Sequence, residues 1–160
     1  MQLDLAGNSS TATLDRITGF GGAPNMGADA RGRRHASPAW LKAGDEARVG
    51  SAIPRGRKLV VQTVETYREH TEPAFVETLD AWRLAEKAGM SLPPVMIYGD
   101  DVSHIVTEEG IANLLMCRTV EEREQAIRGV AGYMPVGLAR DKRMVENLPD
   151  RRIVQRPEGL

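Results

Sequence analysis

A single cysteine, Cys117, stands among 160 residues, so no intrachain disulfide can form and a reducing cytoplasm is the simplest expectation. It follows the apolar run IANLLM with no histidine near it in sequence, which reads as a buried hydrophobe rather than a reactive thiol. Histidines are equally scarce: His35, His70 and His104 lie far apart with no i, i+4 pair, so a zinc spacing is missing and no metal is expected. Aromatic residues make up 4% of the chain, and a core must therefore come from Val, Leu, Ile, Ala and the seven methionines. No run of about 18 apolar residues occurs, and MQLDLAGNSS has neither the charged nor the apolar region of a signal peptide, so no membrane role is expected. The net charge of −1 likewise argues against nucleic acid as a partner.

What is present suits an α/β enzyme of one domain's size, with 41% hydrophobic residues. Leu3 and Leu5 alternate with polar neighbours in MQLDLAG, predicting a short strand that ends at Gly7. A strand this near Met1 suggests a piece of a longer protein. KLVVQTV at 58–64, PPVMIYG at 93–99 and SHIVT at 103–107 predict further core strands. Across 73–89, Val76, Leu79, Trp82 and Ala85 fall at steps of three, which predicts a helix closed by Gly89, with Trp82 and also Trp40 as packing residues. A second helix is predicted over 119–132, opened by a capping box of Thr119 with Glu122 and turning Val120, Ile127 and Val130 inward. Residues 29–57 read as a long loop without period, Asp100-Asp101 as a turn after Gly99, and the tail LPDRRIVQRPEGL as a surface or fraying segment.

The stretch GFGGAPNMG, 19–27, holds four glycines and a proline in nine positions, an entropic cost that a chain seldom accepts without reason. It lacks the third glycine of a dinucleotide fingerprint, because Pro24 intervenes, and the Gly-Lys-Ser/Thr of a Walker loop. Two readings remain. One is a glycine turn between elements. The other is an acyl site, in which backbone N–H groups of Gly21, Gly22 and Ala23, with Asn25 as a further donor, face a carbonyl oxygen that gains charge during acyl transfer. Pro24 would then open a helix N-terminus suited to an anion.

Two other groups stand out. Glu108 and Glu109 follow a predicted strand, where α/β sheets present ligands, and read either as general bases and substrate acceptors or as a solvated pair capping the next helix. Residues 1–58 hold nine Lys and Arg against five Asp and Glu, a local +4 that leaves −5 for the remainder. Arg31, Arg33 and Arg34 sit in that basic half just after the glycines, and read either as a phosphate-binding fork or as a solvated loop.

DLAGN at 4–8 followed by GFGGAPNMG resembles the paired strand and GxGG signature of the carboxyl-terminal domain of acyl-CoA transferases. HIVTEEGIANL, 104–114, is similar to the V-V-T-E-Y-G-V-A-x-L segment of the same superfamily, with Glu109 in place of the common tyrosine, and EEREQAIRGVAG to the helix after it. Within that superfamily the wording of RGRRHASPAWLKAG and MIYGDDVSHIVTEEGIANLL is most similar to the alpha subunits of bacterial malonate decarboxylases, and the resemblance covers nearly the whole chain. It implies a CoA-transferase-like α/β fold, a mixed sheet flanked by helices, with residues 1–160 as a single carboxyl-terminal domain of a longer two-domain subunit. It further implies exchange of acetyl for malonyl on the thioester arm of an acyl carrier protein, an arm of the phosphoribosyl-dephospho-CoA type, with acetate released and no cofactor bound directly. The catalytic set would be Gly21, Gly22, Ala23 and Glu108, and substrate would meet Asn25, Glu109, Gly110, Arg31, Arg33 and Arg34. A nucleophilic glutamate would come from a segment upstream. Decarboxylase subunits are the implied partners, and a truncated chain would self-associate into a homo-oligomer. A citrate lyase alpha-like or free acyl-CoA:carboxylate transferase and a non-catalytic carrier-binding or assembly domain are the alternatives.

Overall fold

The computed structural model describes residues 1–16, 60–68 and 72–157. In chain order these carry β1 (Gln2–Asp4), β2 (Ser9–Ser10), β3 (Val61–Thr63), β4 (Tyr67–Arg68), β5 (Glu72–Pro73) and β6 (Phe75–Val76). Helix α1 (Asp80–Ala88) follows, then β7 (His104–Thr107), β8 (Gly110–Asn113), α2 (Val120–Val130), α3 (Pro135–Leu138), α4 (Lys142–Asn147) and β9 (Val154–Gln155). Single 3-10 turns span Gly99–Asp101 and Leu114–Met116.

The strands form mixed sheets with helices against them. One sheet runs β2-β1-β6, with β1 antiparallel to β2 and parallel to β6. A larger one runs β3-β7-β8-β9, parallel at β3/β7 and antiparallel beyond. β4 and β5 pair as a small hairpin. Helix α2 lies across β7, β8 and β9 and contacts α3 and α4. Leu3, Phe75, Ile105, Ile127, Ile153 and Val154 are at most 1% exposed in one core that draws on both larger sheets, and side chains of this size each contribute about 1.5–3 kcal/mol when fully buried.

DLAGN is the corner that turns β1 into β2. The Asp4 carboxylate accepts from the Ala6 and Asn8 backbone N–H groups at 3.0 and 2.9 Å and from Asn8 Nδ2 at 3.0 Å, while Gly7 takes φ 85°. Asn8 Oδ1 in turn accepts from the Gly99 N–H at 2.9 Å. Gly99 must be a glycine here, because a Cβ on it would fall on the Ala6 carbonyl oxygen. Burial raises the Asp4 carboxyl above its ordinary value, against the lowering effect of the Asn8, Ala6 and Gly7 donors.

The predicted strands over 58–64 and 103–107 form, within the described residues, as β3 and β7. The helix predicted over 73–89 begins only at Asp80, since Phe75 and Val76 pair with Leu3 and Asp4 as a strand. Its first turn is capped from a distance: Leu79 offers no side-chain cap, and Gln2 Oε1 accepts from the Asp80 N–H while Gln2 Nε2 donates to the Asp80 carboxylate, both at 3.0 Å. Gly89 closes it in the left-handed conformation, φ 60°, as expected. The buried face uses Leu79 and Ala81, whereas Trp82 is 38% exposed and is not the packing residue that the spacing implied.

PPVMIYG does not form a strand. Pro93 and Pro94 supply no N–H, and a single bridge between Ile97 and Ser9 is all the pairing it makes. The second helix is as predicted, with Thr119 Oγ1 accepting from the Glu122 N–H at 3.1 Å. The Glu122 carboxylate reaches back one residue further, to the Arg118 N–H at 2.7 Å, and also binds Arg151. Ile127 and Val130 are buried, but Val120, at 76% exposure, points to solvent. The tail is only in part a surface segment: Leu148, Ile153 and Val154 are buried and β9 extends the larger sheet, while Pro149, Asp150, Arg152 and residues 155–157 are exposed.

Candidate acyl-transfer site

Gly21, Gly22, Ala23, Asn25, Arg31, Arg33 and Arg34 lie outside the described residues, as does Trp40. Glu108, Glu109 and Gly110 form the tight turn from β7 to β8 and start β8. Thr107 Oγ1 anchors that turn, donating to the Val130 carbonyl at 2.8 Å and accepting from the Glu109 N–H at 3.1 Å. Gly110 has φ 150°, and a Cβ there would run into the Gln155 carbonyl, so its bareness serves the seating of β9.

The Glu108 carboxylate reaches across to the segment after β3. It accepts from the Thr66 N–H at 3.0 and 3.2 Å and from the Thr66 hydroxyl. Desolvation works to raise its pKa, but the Thr66 hydroxyl and the Glu108 and Thr66 backbone N–H groups prevail and hold it below the ordinary carboxylate value. Glu108 is thus an ionised tether that fixes Thr66 and the residues on either side of it.

Those residues line a cavity of about 580 Å³ between Thr11–Arg16 and Thr63–Arg68, closed further by Glu72 and Ala74. Arg16 on its wall stands three positions before Gly19 in the sequence. Asp15 accepts from the Thr13 hydroxyl at 2.6 Å, and this bond together with its own backbone N–H and the nearby Arg68 and Arg16 charges holds it below the ordinary range. The space lies beyond the carboxyl ends of the parallel pair β3/β7, the end where α/β sheets place ligands.

A second cavity, of about 500 Å³, lies between the DLAGN corner and the start of α2, lined by Ala6, Asn8, Asp100, Cys117, Arg118, Thr119, Val120 and Arg123. Burial pushes the Cys117 thiol up to about 11, so it stays protonated at neutral pH and is a poor nucleophile. Glu108 lines neither cavity. Among the described residues no three His, Cys, Asp or Glu side chains gather as a metal site, and no helix is long and apolar enough to cross a membrane.

The family model described as malonate decarboxylase, alpha subunit, transporter matches residues 1–160. The chain belongs to the malonate decarboxylase alpha subunit family. It is 57% identical, over its whole length, to the acetyl-S-ACP:malonate ACP transferase of Malonomonas rubra, of which it covers 30%. Among solved structures it is similar to a Pseudomonas malonate decarboxylase hetero-tetramer in complex with malonate, at 52% identity and TM-score 0.78, covering 98% of this chain and 28% of that one. A malonate decarboxylase alpha subunit from Acinetobacter baumannii gives 49% identity and the same TM-score, covering 98% and 29%. The chain therefore spans less than a third of the length of these relatives.

Sequence motifs picked out Glu108 and DLAGN, but as a pair capping a helix and as part of a strand, where the structure has a turn into the strand β8 and a corner. They did not find Thr66 or Arg68, which belong to no motif and join the site only because β3 runs parallel to β7 and brings residue 66 beside residue 108.

Proposed function

We propose that this chain is the carboxyl-terminal, CoA-transferase-like portion of a malonate decarboxylase alpha subunit that moves a carrier protein's thioester arm from acetate to malonate. The observation that carries the reading is the 57% identity, along the whole chain, to an acetyl-S-ACP:malonate ACP transferase. In the exchange the carrier sulfur loses its bond to acetyl and gains one to malonyl, and acetate departs with an oxygen taken from malonate. Backbone N–H groups at Gly21, Gly22 and Ala23, with Asn25, stabilise the charge on the thioester oxygen, a role commonly worth about 10²–10³-fold in rate. Arg31, Arg33 and Arg34 hold the phosphates of the arm. Glu108 sets the wall of the cavity in which the acid is positioned, Glu109 and Gly110 belong to the same turn, and the attacking group comes from a segment outside these 160 residues. The malonyl carrier then passes to decarboxylase subunits in the cytoplasm.

The test is malonate-dependent release of acetate from acetyl carrier by the complete alpha subunit, with Gly22→Val as the loop variant. A branched side chain at the thioester oxygen lowers turnover by at least about 100-fold with an unchanged circular dichroism spectrum. Wild-type turnover by the valine variant would remove the loop from catalysis, and turnover with citrate but not malonate would assign the chain to another acid.

A further inference from the structure

Arg68 lines the 580 Å³ cavity and is the cation there least satisfied by the protein itself. Its side chain is 17% exposed, and among the described residues its buried Nε has no hydrogen-bond partner and its nearest ion-pair oxygen, on the 60% exposed Glu72, is 3.8 Å away, beyond hydrogen-bond reach. A guanidinium carries five N–H donors in a planar fork, and shielding it from water without filling those donors costs free energy unless an anion completes the set. Asp15 feels the Arg68 charge at longer range but does not complete the set, because no hydrogen bond and no ion pair within 4.0 Å joins the two. Arg16 brings a second cation to the same wall, and Glu108, through Thr66, fixes the strand end from which Arg68 projects.

We infer that Arg68 is the specificity residue for a dicarboxylate: its fork binds the carboxylate of malonate that takes no part in thioester exchange. The inference rests on the transferase reading above and adds to it a reason why acetate leaves and malonate stays. Acetate has no second carboxylate, so it gains nothing from Arg68. A bidentate guanidinium–carboxylate pair shielded from water is worth about 10- to 100-fold in affinity.

The experiment is calorimetric titration of the complete alpha subunit and its Arg68→Gln and Arg68→Lys variants with malonate, acetate and inorganic phosphate, beside isotope exchange between labelled acetate and acetyl carrier. Circular dichroism confirms folding; Arg68→Lys keeps the charge, loses the fork and serves if the glutamine variant does not fold. Malonate affinity is expected to fall about 10- to 100-fold in Arg68→Gln and by a lesser factor in Arg68→Lys, with acetate binding changed less than about twofold. Equal losses for malonate and acetate, or a loss confined to phosphate, would overturn the inference, the latter assigning Arg68 to the carrier arm. Absence of acetate exchange in the wild type would instead sink the transferase reading, and the malonate titration would still decide the role of Arg68.

Discussion

Glu108 shows how a residue singled out for chemistry spends its charge on architecture. Its carboxylate accepts two kinds of donor from Thr66, and its pKa lies below the ordinary value of 4.5. A carboxyl whose folded pKa is depressed stabilises the fold above the unfolded pKa and loses that contribution as pH falls through the folded one. Glu108→Gln keeps the shape and an acceptor but not the charge, so it is expected to cost about 1 kcal/mol near pH 7, less than a charge-assisted bond usually contributes because the side chain is largely in water. Urea titrations of wild type and variant near pH 7 and near pH 3 check this: the gap should close at the lower pH. A gap independent of pH would show that the ionised carboxylate does not matter. The same variant should also disturb malonate binding through the wall that carries Arg68, since Thr66 and Arg68 are two residues apart on one short segment.

Among the elements, the contact between the DLAGN corner and Gly99 joins two pieces of chain that the sequence keeps far apart. Gly99→Ala would push a methyl onto the Ala6 carbonyl and is expected to cost about 1–3 kcal/mol, as overpacking typically does. Hydrogen exchange locates the damage: the Ala6, Asn8 and Gly99 amides, all bonded to Asp4 or Asn8 carbonyl-type oxygens, should lose protection before those of α2. Much of this level was legible in sequence. The alternation around Leu3, the β-branched run before Thr63, the Thr119 cap and the Gly89 stop each carry a local cause. What was not legible depends on partners distant in sequence. Phe75 and Val76 become a strand because Leu3 and Asp4 are waiting, and Asp80 starts a helix because Gln2 caps it. Ile153 and Val154 are buried in the tail because β8 has an open edge for Val154. In the candidate site, Glu108 announced itself by type and motif, whereas Arg68 looked like any charged residue until its burial was known; the glycines lie outside the described residues.

At the scale of the whole molecule, Arg128 clips the two larger sheets together. It emerges from α2 on the larger sheet, makes two bonds to the carboxylate of Glu77, just past β6 of the other, at 3.1 and 3.0 Å, and also binds Glu124 and the Val136 carbonyl. With its side chain 8% exposed, Arg128→Ala leaves a hole and a carbonyl without its donor, an expected loss of about 2–3 kcal/mol, moderated because Glu77 can turn to water. A thermal melt should fall by about 4–12 °C for a domain of this size, and a fall under one degree would deny Arg128 any joining role. The pairing of Leu3 with Phe75 has its own consequence in time. Ribosomes add about 5–20 residues each second, so β1 leaves the tunnel roughly 4–14 s before the strand it must lie beside leaves it. For that interval its partner among the described residues is the two-residue β2, and the face of Leu3 that β6 will cover is open to chaperones or to a neighbouring nascent chain. The first sheet can therefore close only once β6 has followed β1 and β2 out of the ribosome.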